Sequence, residues 1–185
     1  FEARAIRDAL AARGVRSVYL SERDSVFESP QAEEIQRWLE ACAEPDDTRR
    51  LRAALATATL GLDWDELERL NRDELRWEAQ VLRFRGYRET WRRQGVLPML
   101  RRLMQDFGVP ARLLAPDAAL ERGERVLTDL LHLAELLQRA AAVLAGEQAL
   151  IRHLAEQREE TSRPGGHEDA RLIRLESDAD LGQVV

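Results

Sequence analysis

YLSERDSVFESPQAEEIQRWLEAC, residues 19–42, opens on the end of an apolar run, crosses a polar stretch and enters a helical pattern. The run it closes, VRSVYL at 15–20, is rich in β-branched and aromatic residues and predicts a short strand. From Ser29 onward the signals change. Ser29 can cap a helix, and Pro30 suits the first helical position, where its missing N–H is not needed. Ile35, Trp38, Leu39 and Cys42 then recur at i, i+3, i+4 and i+7, the stripe of a helix with one buried face. A chain that turns this way is crossing from a sheet into a helical layer.

Working outward, residues 1–13 carry Ile6 and Leu10 four apart, with Gly14 as a stop: a helix leading into the strand. Downstream, Pro45 ends the first helix and Asp46 or Asp47 caps the next, whose stripe is Leu51, Ala54 and Leu55. Asp63 begins D-W-D-E, with Glu66 three residues on, in the manner of a capping box. Asn71 begins N-R-D-E in the same form and predicts a long helix through about Arg93, stopped by Gly95. Pro98 starts another helix carrying Leu100, Leu103 and Met104, which Gly108 stops. The longest periodic segment, about 121–145, sets Val126, Leu130, Leu133 and Leu137 in one row, with Leu127, Leu131 and Ala134 beside it. That width predicts a helix packed on two sides. A last helix is predicted from about Glu147 to Glu159. TSRPGGHED (161–169) reads as a flexible polar loop, and ARLIRLES and GQVV return to strand-like residues.

The expected fold class is therefore mainly α: a multi-helix bundle inserted in an α/β domain, with short strands only near the two ends. Residues 1–28 would be an edge of the α/β domain, 29–160 the helical insertion, 161–169 a loop and 170–185 the return strands. Phe1 in place of Met, and a last residue, Val185, with no turn or cap after it, read as the cut ends of a longer polypeptide.

Composition narrows the function classes. At 185 residues, 44% of them apolar and 34% charged, the chain belongs among soluble globular proteins and can bury a sizeable core. All 28 cations are arginine, and the net charge is −6. A free-standing nucleic-acid binder is usually basic, so any DNA contact here would be local or would depend on other subunits. The single cysteine, Cys42, excludes a disulfide framework within the chain. No run approaches the ~18 apolar residues of a membrane span. With no signal peptide in view, the cytoplasm is the expected compartment and no membrane partner is expected.

A search for reactive constellations returns nothing. There is no phosphate-binding G-x-x-x-x-G-K-[ST], no G-x-S-x-G and no H-E-x-x-H. His132, His153 and His167 are far apart in sequence. Carboxylate pairs such as Glu33/Glu34 and Asp46/Asp47 fit caps and solvated helix faces better than a hydrolytic pair. No catalytic, cofactor-binding or metal-binding residue is assigned.

Two features remain. RFRGYRETWRRQGVLPMLRR (83–102) interleaves seven arginines, Arg92 and Arg93 among them, with Phe84, Tyr87 and Trp91. Arginines among aromatics can hold phosphates and stacked bases. The plainer reading is an amphipathic helix: three aromatics spaced three and four apart share one face and build core, and the arginines pair with nearby acids. A protein partner is the third possibility. TLGLD (59–63) places a glycine just before a helix start, where backbone N–H groups can approach an anion. Asp63 opposes that, because its carboxylate would occupy the same N–H groups as a cap.

Read in order, SVYLSERDSVFESPQAEEIQRWLEAC, LRAALAT, LGL, LNRDE, FRGYRETWRRQGVLPMLRRLM, GERVLTDLLHLAELLQ and RLESDADLGQVV resemble consecutive segments of the RecB family. These are the β subunits of exodeoxyribonuclease V, within the UvrD-like superfamily 1 helicases. The resemblance implies two RecA-like α/β motor domains in the parent, the second, 2A, carrying a large helical insertion called 2B. This chain would be 2B with the flanking edges of 2A. LGQVV would be the re-entry strand, leading in the family to a T-x-H-x-x-K-G-L-E motif beyond Val185. UvrD-type helicases carry a T-x-x-G-I-G-like turn in 2B that contacts duplex phosphates. Thr59, Leu60, Gly61 and Leu62 occupy the similar place, while Asp63 stands where the second glycine would be. Thr59 and Gly61, with Arg92 and Arg93, are thus the candidate nucleic-acid contacts.

The resemblance further implies an ATP-dependent parent, using ATP and Mg, that unwinds and degrades double-stranded DNA ends in recombinational repair. RecC-like and RecD-like subunits would be its partners. This region itself would neither hydrolyse ATP nor cut DNA, but would buttress the motor and dock neighbouring subunits. The alternative from another class is a free-standing acidic helical adaptor that binds only protein.

Overall fold

The computed structural model describes residues 25–115 and 120–161, with the side chains of 120 and 121 left aside. A single 3-10 turn, Val26–Glu28, leads into eight α-helices among these residues: α1 (Pro30–Ala43), α2 (Thr48–Leu55), α3 (Trp64–Arg72), α4 (Glu74–Gln94), α5 (Val96–Asp106), α6 (Val109–Leu113), α7 (Leu120–Ala141) and α8 (Glu147–Thr161). The mainly α class is correct. The strands expected at 15–20 and 170–185, the helix at 1–13 and residues 162–169 of the expected loop lie outside the described residues, whereas Thr161, expected in that loop, ends α8.

Helix α1 is the hub. Pro30 occupies its first turn as the sequence required. Ile35, Trp38, Leu39 and Cys42 are all buried, and the helix packs against α2, α4, α7 and α8. The wide stripe of α7 meets α1, α5, α6 and α8, so it does pack on more than one side. One continuous core results, with Trp38, Tyr87, Phe84, Leu51, Leu100 and Leu130 among its largest fully buried side chains. Removing each such aliphatic or Phe side chain from water contributes about 1.5–3 kcal/mol. Trp38 also carries a polar N–H inward. Its Nε1 donates to Thr57 Oγ1 at 2.9 Å, and that hydroxyl donates to Ala54 O at 2.7 Å, so the buried polar atoms are satisfied in series.

Several local expectations hold and others need correction. Asp47 caps α2, its carboxylate accepting the N–H groups of Arg49 and Arg50. These bonds, that of Arg50 first, hold the Asp47 carboxyl below the usual carboxylate range. Asp63 and Glu66 form the complete reciprocal capping box. Ser29, by contrast, makes no side-chain cap: its hydroxyl turns back and donates to Val26 O at 2.6 Å. Asn71 does not open the long helix either. The break falls at Asp73, which caps α4 by accepting Arg76 N–H, while Asn71 Oδ1 accepts from Arg52 Nε. Both N-R-D-E residues can cap, and the choice is tertiary, because Arg52 of α2 engages the first. Helix α5 begins at Val96 and not Pro98; proline is tolerated there because the first turn donates no intrahelical bond. Helix α7 stops at Ala141, short of 145, in a turn through Gly146.

Gly95 ends α4 with φ +100°, in a region where L side chains are strained. A Cβ there would also lie 2.6 Å from Gln138 Oε1, the atom that accepts Leu97 N–H at the start of α5. One glycine thus sets the α4–α5 corner and its tie to α7.

Candidate nucleic-acid interface

The arginine-rich segment spans most of α4 and the first part of α5. Its three aromatics face inward. Phe84, Tyr87 and Trp91 are buried, and the Phe84 and Tyr87 rings meet edge-on with centroids 5.3 Å apart. Tyr87 donates to Asp106 Oδ2 at 3.0 Å, and burial, reinforced by that bond, raises its phenol above the ordinary tyrosine range. None of these rings offers a face on which a base could stack.

The arginines are spoken for by the bundle. Glu147, at the start of α8 and only 15% exposed, receives both Arg88 and Arg92, the latter at 2.7 Å from Arg92 Nε. Arg93 pairs with Glu89 one turn back, and Arg85 with Asp46. The Arg83 guanidinium lies 5.3 Å from the Phe107 ring centroid. Arg102 donates to Thr90 Oγ1 at 2.9 Å and lies over Tyr87. Among the described residues only Arg101 of this group meets no partner. The segment is therefore built as the amphipathic helix of the plainer reading. Its cations reach carboxylates on other elements, chiefly Glu147, 55 and 59 residues away along the chain. No local pattern marks Glu147 for this role, which is why the sequence alone does not reveal it.

The TLGLD turn sits elsewhere, between α2 and α3. Gly61 is exposed with φ +72°, and Thr59 is buried. Thr59 N–H donates to Glu34 Oε1 at 3.3 Å, and Thr59 O accepts from Arg112 Nη2 at 2.6 Å. A Cβ on Gly61 would lie 2.6 Å from that same guanidinium. Arg112 also bonds Phe107 O at the end of α5, so it fastens the turn to the α5–α6 corner. Asp63 fills the N-terminus of α3 as a cap, as its position implied. Thr59 and Gly61 thus share one turn, Arg92 and Arg93 share the end of α4, and among the described residues no hydrogen bond or ion pair joins the two pairs.

Other chemistry is thin. Cys42 is fully buried against Met99, and burial raises its thiol far above the reactive range. His132 is exposed on α7, and His153 is half-buried on α8. Burial raises the Asp129 carboxyl, partly offset by Arg125 and His132. Among the described residues no group of three or more His, Cys, Asp or Glu is placed to hold a metal ion, and no helix is long and apolar enough to cross a membrane.

Comparison with known proteins then decides the kinship. No family model matches the sequence. The RecBCD enzyme subunit RecB of Escherichia coli (strain K12) is 45% identical over 184 residues, taking in the whole of this chain. The chain is RecB-like. RecB of Haemophilus influenzae is 38% identical over 184 residues, and RecB of Mycolicibacterium smegmatis 33% over 192, again across the full chain. The RecB-like chain spans about 15% of the length of these relatives. A likeness that runs through every helix in order does not favour the free-standing adaptor.

Proposed function

We propose that this chain is the helical, 2B-like region of a RecB-like helicase–nuclease subunit, with edges of the 2A motor domain at its two ends. It works by holding shape. The observation that carries this reading is the fate of residues 83–102. Their rings are spent on the core, and Arg85, Arg88, Arg92 and Arg93 on Asp46, Glu147 and Glu89. A segment so consumed supports neighbouring parts; it does not grip a duplex by itself.

In the parent protein, nucleotide and Mg would be bound outside these residues, which supply neither a phosphate loop nor a metal-holding cluster among those described. DNA ends would be reached through the parent complex, in the company of RecC-like and RecD-like subunits, in the cytoplasm. Of the TLGLD pair, Gly61 is exposed and free of a side chain, whereas Thr59 would have to release its N–H from Glu34 to meet a phosphate, and Arg92 and Arg93 would add positive charge only if released from their carboxylates.

Two assays on the purified chain test the proposal. ATP turnover is expected to be absent, and turnover that follows the protein through repeated purification would overturn the scaffold reading. Duplex binding is expected to be weak, since few cations are free to displace counterions. Tight binding with a steep salt dependence, abolished by Arg92→Ala with Arg93→Ala, would show that the ion pairs open and that the cluster is a DNA grip.

A further inference from the structure

The turn that leads from α2 to α3 receives a cation from another part of the chain. Gly61 is exposed with φ +72°, and among the described residues neither its N–H nor that of Leu62 makes a hydrogen bond. Arg112, the fourth residue of α6, lies against it. A Cβ on Gly61 would stand 2.6 Å from Arg112 Nε and 2.7 Å from Nη2, so only a glycine lets the guanidinium rest on this backbone. The guanidinium donates to Thr59 O at 2.6 Å and to Phe107 O, both neutral carbonyls. No carboxylate pairs with it among the described residues. A guanidinium has five N–H donors, so donors remain and the positive charge is not neutralised.

This sets Arg112 apart from the arginines of α4, of which Arg85, Arg88, Arg92 and Arg93 each meet a carboxylate. The acids around the turn are mostly engaged. Glu34 accepts Thr59 N–H, and Asp63 and Glu66 close the capping box, so the N-terminus of α3 is already filled. Asp65 is exposed and makes no ion pair among the described residues. Three residues beyond Gly61, Trp64 is 81% exposed, an open ring next to an open backbone donor. We propose that Arg112, Gly61 and Trp64 form a contact for one backbone phosphate of duplex DNA. Gly61 N–H donates to a phosphate oxygen, and Arg112 supplies the charge that the turn's own sequence lacks. Trp64 packs on the adjoining sugar or terminal base. A single such contact binds weakly, in keeping with a net charge of −6. The proposal deepens the proposed function and rests on the parent protein reaching DNA ends.

The test titrates the purified chain, labelled with nitrogen-15, with a short mixed-sequence duplex at low ionic strength. The Gly61 amide, Arg112 Nε–H and Trp64 indole resonances are expected to move together, while those of Arg92 and Arg93 stay in place. Arg112→Gln, which keeps a donor for the carbonyls, is expected to weaken binding about two- to fivefold and to lower the salt slope by about one. Trp64→Ala is expected to weaken binding with the salt slope unchanged. Should Arg112→Gln fail to fold, the resonances of the unaltered chain decide. A duplex that moves none of the three, or an unchanged slope in folded Arg112→Gln, would overturn the contact and leave the scaffold reading standing. An equal response to poly-glutamate would assign the turn to an acidic protein segment, and an equal response to inorganic phosphate would make it an adventitious ion only; either overturns the proposal. Tight binding lost on Arg92→Ala with Arg93→Ala would bring down the scaffold reading itself.

Discussion

The two halves of α4 carry comparable apolar content and meet opposite circumstances. In the second half, Phe84, Tyr87 and Trp91 are enclosed by α1, α5 and their neighbours, and every arginine between them finds a carboxylate. In the first half, the helix packs against α3, and Trp77 and Val81 rest on the edge of the core only half-buried. Helix α3 buries no residue fully, and Leu75 and Leu82 face water. The contrast teaches that a helical repeat announces a face to be covered without saying by what. In the body, the covering element lies elsewhere in the same chain. In the first half, the inner residues Trp77 and Val81 reach the core, and nothing among the described residues covers Leu75 and Leu82.

The largest expected effect lies on the body side. Trp38→Ala should remove about 3–5 kcal/mol of stability through the cavity it leaves, read as a shift in the urea midpoint followed by circular dichroism. A loss below about 1 kcal/mol would mean the core collapses around the site and that the body is no better packed than the first half of α4. Gly95→Ala should cost about 1–3 kcal/mol from the disfavoured backbone alone, with more from displacing Gln138. A neutral result would show that the α4–α5 corner relaxes freely.

In the first half of α4 the signs change. Gly86→Ala should stabilise the chain by about 0.5–1 kcal/mol, since a helical glycine is replaced where the new methyl meets only open space. Destabilisation would reveal a contact that closes on this face within the chain. Leu75→Ser and Leu82→Ser should each change stability by no more than about 0.5 kcal/mol; a cost of a buried leucine's size would erase the distinction between the two halves of α4.

The smallest effect is confined to acid. Because the folded-state carboxyl of Asp47 lies below its ordinary value, the stability it contributes is complete above about pH 3.9 and disappears as the pH falls through the folded value. Asp47→Asn, which keeps a capping oxygen, should match the parent chain near neutrality and lose less stability between about pH 4 and pH 2. Superimposable acid limbs would show that the cap carries no charge preference.

Much of the fold is legible in the linear pattern, for reasons that are local. The stripe of α1, Pro30 in its first turn, the capping box at Asp63 and the stop at Gly95 each depend on residues within one or two turns, and each is found where the spacing puts it. Where reading fails, two local options of similar energy compete and a distant residue chooses. Asn71 and Asp73 can both start α4, and Arg52 engages Asn71. Ser29 can cap α1, and its hydroxyl instead closes the preceding turn. The candidate interface is legible only in half: the inward face of Phe84, Tyr87 and Trp91 follows from their spacing, whereas the partners of Arg88 and Arg92 do not.

By itself, then, the order of residues determined the helices, their buried stripes and the RecB-like character of the whole chain. Those properties arise from side chains a few positions apart or from the string as a whole. Tertiary structure alone decided that Glu147 neutralises the arginine cluster, that Arg112 ties the Thr59 turn to the α5–α6 corner, and that one apolar face of α4 is left open. Such outcomes depend on which surfaces meet across tens of residues. Charge pairing and burial both act through space, and separation along the chain carries no record of them.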